Sequence, residues 1–75
     1  NGKLDLPGAE SVSFNVFDLQ GRMVMTQAPR AFGAGRSLLS WNGRLSAGGP
    51  APPGLYLASV RVGEKLFFRR IALIH

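Results

Sequence analysis

The sequence predicts an all-β fold: a small antiparallel β-sandwich of about five to seven short strands with no significant helix. Three observations carry this. Apolar and polar residues alternate with period two, most clearly where Val12, Phe14 and Val16 interleave with Ser11, Ser13 and Asn15. Ten glycines and five prolines in 75 residues favour turns over long helices. No stretch free of Gly and Pro reads convincingly as an amphipathic helix.

The elements follow in order. Residues 3–6 form a first strand, closed by Pro7-Gly8. Residues 11–19 form a half-buried strand with one solvated side. Asp18-Leu19-Gln20-Gly21 is a hairpin turn, with Gly21 free to take the positive φ such a turn needs. Residues 22–26 return as the next strand. Residues 28–35 hold one Pro and two Gly and read as a loop. Residues 36–41 form a third β segment, with Leu39 and Trp41 on one side and Leu38 and Ser40 on the other.

Residues 42–54 are the most biased stretch, seven of thirteen being Gly or Pro. Asn42-Gly43 is a strong turn dipeptide. The clearest hairpin comes next, with residues 55–62 and 65–74 joined by Gly63-Glu64 as a type II′ turn. Val62 then faces Lys65, Val60 faces Phe67 and Tyr56 faces Ile71. One face gathers Tyr56, Ala58, Val60, Phe67, Ile71 and Leu73, and Arg69 falls on it opposite Ala58. Either the Arg69 stem packs while its head escapes to the edge or to a carboxylate, or a bulge shifts it outward. Trp41, Val16, Phe14, Val60 and Tyr56 are expected among the most buried side chains.

Length and composition bound the function. The chain reads as one domain over residues 1–75, too small to bury more than about 60% of its unfolded surface. Apolar residues at 45% are too many for a disordered tail. No apolar run approaches the ~18 residues of a membrane span. There is no cysteine, so neither a disulfide nor a thiolate metal site forms. The single histidine is His75, and no cofactor is expected. Asp5, Glu10, Asp18 and Glu64 sit in or beside turns, with no pair placed for acid–base work, so no enzyme is expected. A net charge of +5 invites a nucleic-acid reading. Arg22, Arg30, Arg36, Arg44 and Arg61 are scattered singly, however, and only Arg69-Arg70 are adjacent. Successive strand residues point to opposite faces, so Phe67-Phe68-Arg69-Arg70 cannot form one stacking patch. Loose attraction to acidic surfaces is the preferred reading of the charge. The start at Asn1 rather than Met reads as a module of something longer.

Four short motifs stand in a fixed order. Asp18-Leu19-Gln20-Gly21-Arg22-Met23-Val24 resembles the D-x-x-G-R-x-V hairpin of bacterial Ig-like C-terminal modules. Trp41-Asn42-Gly43-Arg44 resembles their W-D-G-R turn, with Asn42 for the usual Asp, and Pro53-Gly54-Leu55-Tyr56 their x-G-x-Y strand start. The closing Phe67-Phe68-Arg69-Arg70-Ile71-Ala72-Leu73-Ile74 resembles their final basic-then-aliphatic strand. His75 stands where a Lys or Arg is common. Such modules include the C-terminal sorting domain of type IX secretion cargo and the Ig-like domain of the flagellar hook-capping protein. The resemblance implies an Ig-like sandwich at the end of an exported protein, recognised by the secretion apparatus and commonly removed by a sortase-like peptidase.

The functional expectation is therefore a non-catalytic secretion and sorting signal, exported to the extracellular space or bacterial surface. Phe68, Arg69, Arg70, Ile71, Leu73 and Ile74 are its candidate partner-recognition residues. Asp18, Gly21, Trp41, Asn42, Gly43, Gly54 and Tyr56 are candidate turn and core residues. The expected partners are the secretion machinery or, alternatively, neighbouring extracellular subunits that add to a free sheet edge. A third reading, a carbohydrate-binding accessory domain, would use Trp41 as a stacking platform.

Overall fold

Burial of one face of the second strand decides the architecture. In the computed structural model, which describes residues 2–74 and all their side chains except those of residues 2 and 37–39, Val12, Phe14 and Val16 are buried. Asn1 and His75 lie outside the described residues. Six strands form: β1 (Gly2–Leu6), β2 (Glu10–Phe17), β3 (Met23–Phe32), β4 (Gly35–Leu39), β5 (Gly54–Val62) and β6 (Lys65–Leu73). β2 pairs antiparallel with β3 on one side and β5 on the other, and β6 extends the sheet beyond β5, in the order β3-β2-β5-β6. β1 and β4 pair separately as a two-stranded antiparallel sheet. Leu6, Val12, Phe14, Val16, Ala51, Tyr56, Ala58 and Val60 form the core. The result is a small all-β Ig-like sandwich with no helix among the described residues.

The hairpins follow from their turn residues. Asp18 accepts the Gly21 amide on its carbonyl at 3.0 Å, and Gly21 has φ 85°. That is a type I turn closed by a left-handed glycine, the common three-residue hairpin loop. Gly63 has φ 58° while Glu64, like every described non-glycine residue, has negative φ. This combination is a type II′ turn. It fixes the register of β5 on β6: Val62 faces Lys65, Val60 faces Phe67 and Tyr56 faces Ile71. The register runs unbroken to Gly54 and Leu73, so no bulge moves Arg69 outward. Arg69 instead stays on the inner face opposite Ala58 and turns its guanidinium back to the Phe68 carbonyl at 2.8 Å.

Two segments differ from the sequence reading. Residues 28–35 are not a loop: β3 continues through Pro29 to Phe32. β3 is an edge strand, so the missing Pro29 amide costs no ladder bond on its open side. A bulge there sets Ala28 and Pro29 together against Ser13, and a second gives Val24 no partner on β2. The third β segment also ends earlier, at Leu39, with Ser40 and Trp41 outside it. The expected alternation of Leu38 and Leu39 falls on side chains outside the described set.

Trp41 is half-buried rather than fully buried. Its ring meets Tyr56 edge to face at 5.0 Å and 71°. Its indole nitrogen donates to the Arg44 carbonyl at 2.9 Å. An indole that must reach a loop carbonyl keeps one edge near solvent.

Candidate partner-recognition site

The closing strand owes its exposure to its place at the end of the sheet. Only β5 pairs with β6 among the described residues. Strand alternation then divides the candidate recognition residues between two surfaces. Phe68 and Arg70 face outward, with Leu66 and Ala72 in the same row, opposite Ser59, Leu57, Arg61 and Leu55 of β5. Leu55 is 51% exposed, Leu66 44% and Phe68 52%. This is an apolar patch on a sheet face, flanked by two guanidinium groups. Arg69, Ile71 and Leu73 face inward. Ile71 and Leu73 pack against the core, whereas Ile74 follows the strand and is exposed. The six candidates therefore do not form one site.

Leu55, Leu57 and Leu66 escaped the sequence reading as surface residues. The hairpin register already set Leu55 and Leu57 opposite Ala72 and Arg70 and put Leu66 in the row of Arg70, so it held the signal that could have found them. The inner face has a similar omission. Lys3, Leu4 and Asp5 of β1 face Phe67, Arg69 and Ile71 of β6 across a cleft of about 290 Å³. The two-stranded sheet leaves this flank of the four-stranded one open. Arg69 is exposed there. An inward charge on an edge strand also discourages another chain from pairing with that edge.

The turn and core candidates hold the opposite side together. Asp18 Oδ1 accepts the Gln20 and Arg22 amides, each at 2.9 Å, and Oδ2 accepts Arg22 Nε at 2.8 Å. The bond from the Arg22 amide, more than any other contact, holds the Asp18 carboxyl below its ordinary range. Asn42 Oδ1 accepts the Arg44 amide at 3.0 Å. Gly43 is buried with φ 77°, and its carbonyl accepts the Ala51 amide at 2.7 Å. Gly54, with φ 152°, opens β5, and the Tyr56 hydroxyl donates to the Pro52 carbonyl. The described residues hold no cluster of three or more metal-ligating side chains. No helix long and apolar enough to cross a membrane occurs among the described residues.

A family model of the FlgD Ig-like domain matches residues 1–65. The chain belongs to the FlgD Ig-like domain family. The match spans five of the six strands and ends where β6 begins, at Lys65. The chain is thus an Ig-like structural module, and the hairpin at Asp18, the turn at Asn42-Gly43 and the Tyr56 strand all lie inside the FlgD Ig-like match. Comparison with curated proteins and with solved structures returned no significant match.

Proposed function

We propose that this FlgD Ig-like module is the non-catalytic part of an exported bacterial protein that a type IX secretion and sorting apparatus recognises, with β6 in the recognised surface. The outward row of β6 carries the proposal: Leu66 and Phe68 are exposed beside Arg61 and Arg70 on a strand with an unpaired edge. An apolar strand left at an edge is an aggregation hazard unless something covers it, and a sorting receptor is such a cover. The basic-then-aliphatic pattern of the same strand supports this reading. The scattered carboxylates support a non-catalytic role, since Asp18 is spent on Arg22 and Asp5 lies 3.8 Å from Arg36.

A second reading has its own observation. The family that matches residues 1–65 is a structural one, and β3 and β6, the outer strands of the four-stranded sheet, each keep one edge without a partner among the described residues. That favours a module that assembles extracellular subunits through its sheet edges. Nothing comparable favours carbohydrate binding, since the single Trp lies edge-on to Tyr56 and bonds to its own loop.

One experiment separates the readings. Residues 1–75 are fused to the C-terminus of an inert reporter in a bacterium with type IX machinery. Export to the surface or medium is expected. Phe68→Ser with Arg70→Glu, shown by circular dichroism to stay folded, should retain the reporter in the periplasm. Periplasmic retention of the unaltered fusion sinks the sorting reading. Polymerisation of the isolated chain in that case supports assembly.

A further inference from the structure

The inner side of β6 raises a question separate from the outer one. A two-stranded sheet covers a four-stranded one, and the uncovered flank is a cleft between β1 and β6. Its floor is apolar, with Leu4, Phe67 and Ile71 among the lining residues and Trp41 beside them. A second hollow of about 480 Å³ continues it past Leu6 to the Gly63-Glu64 turn. Three consecutive residues of β1, Lys3, Leu4 and Asp5, border the cleft, so the strand's backbone as well as one of its faces lies along it. Among the described residues β1 pairs only with β4, which leaves its other edge without a partner.

The charge is one-sided at the Trp41 end of the cleft, whereas the second hollow sets Glu10 and Glu64 beside Lys65. Lys3 and Arg69 stand at that end, and neither has an ion pair among the described residues. The one carboxylate there, Asp5, lies 3.8 Å from Arg36 Nη2. A net charge of +5 also opposes a second copy of the chain as occupant.

We infer that the cleft receives an extended peptide strand with alternating apolar and acidic residues, added antiparallel to the free edge of β1. Backbone bonds to β1 supply affinity. The apolar side chains cover Phe67 and Ile71, and the carboxylates meet Lys3 and Arg69. The added strand would make the smaller sheet three-stranded and close the sandwich. This site does not depend on the sorting reading, which rests on the outward row of β6.

The probe is a labelled peptide of roughly eight residues alternating valine and glutamate, enough to span β1 at about 3.3 Å per residue. Fluorescence anisotropy compares it with the same peptide carrying lysine for every glutamate. The expected result is at least about tenfold tighter binding of the glutamate peptide, with slowed amide exchange along β1. Arg69→Gln should weaken it about tenfold while leaving the melting temperature unchanged. Lys3→Glu with Arg69→Glu should reverse the preference toward the lysine peptide. Equal binding of both peptides, unchanged affinity in Arg69→Gln, or exchange protection confined to β3 or β6 overturns the inference. So does sedimentation as a dimer that the peptide does not dissociate, since a second copy then fills the cleft. If Arg69 only guards the edge, Arg69→Gln self-associates and keeps its peptide affinity, which overturns it as well. The variants share no residue with those of the export experiment, so either proposal can fail alone.

Discussion

The loop over residues 42–53 and the strand β6 invert the usual relation between regularity and burial. The loop has no strand of its own, yet it is laced in place. The Leu45 amide bonds to the Gly49 carbonyl, the Ser46 amide to the Val24 carbonyl, and the Thr26 amide to Ser46 Oγ. Ala51 is 1% exposed, deeper than any residue of β6. β6 pairs with β5 along its whole length, but from Lys65 to Arg70 every side chain is exposed. Backbone pairing and side-chain burial are thus separate contributions in this sandwich. Stability concentrates where the loop closes one end, and accessible surface concentrates where the sheet runs out.

The largest expected effect tests that division. Tyr56 sits where the loop, Trp41 and β5 meet, and it is 6% exposed. Tyr56→Ala should cost about 3–5 kcal/mol, as for other large buried rings. A 75-residue domain holds a reserve of only about 4–11 kcal/mol. Phe68→Ala, on the exposed row, should stay within about 0.5 kcal/mol. Urea unfolding of the two variants compares them. Similar losses would show that the outer row is as much a part of the stability as the closed end.

A smaller contrast lies between two glycines in the left-handed region. At Gly43 a Cβ would come 3.1 Å from Leu73 Cδ1, whereas at Gly21 nothing lies within 4 Å. Gly43→Val therefore carries backbone strain and also pushes on the end of β6, for about 2–3 kcal/mol. Gly21→Val carries strain alone, about 1–2 kcal/mol. Asn at position 21 should be tolerated better still, because Asn visits this region more readily. Thermal melts that rank the two valine variants the other way would place the tighter turn at the Asp18 hairpin.

The same division marks what was legible in the sequence. The β5–β6 register could be read because a two-residue turn fixes every later pair, and Arg69 opposite Ala58 came with it. The Asp18 turn could be read because its contacts are local. The continuation of β3 through Pro29 could not, since proline in an edge strand and proline in a loop look alike until the edges are known. Nor could the cleft, which exists because β1 pairs with β4, a partner about thirty residues away that no local pattern selects. Of the candidate site, the sequence held the residues of β6 and their alternation between two faces, but not the accessibility of the inner face, because that appears only once the opposite sheet is seen to stop short.

The smallest expected effect comes from acidification, and it sharpens the contrast between a charge fixed in a turn and charges standing free in the cleft. Asp18 accepts bonds from the Arg22 and Gln20 amides and pairs with the Arg22 side chain. These hold its carboxyl below the ordinary carboxylate range in the folded chain, the Arg22 amide foremost. A carboxyl whose folded value is depressed binds a proton more readily when the chain unfolds. Its contribution is therefore complete at neutral pH, begins to fall below about pH 5, and is lost as the pH drops through the folded value. Asp18→Asn keeps an oxygen for the two amides but cannot ionise. The melting-temperature gap between the native chain and Asp18→Asn should thus be widest near neutrality and shrink on acidification. A gap that stayed constant from about pH 7 to about pH 2 would mean that the turn uses Asp18 for its shape and not for its charge.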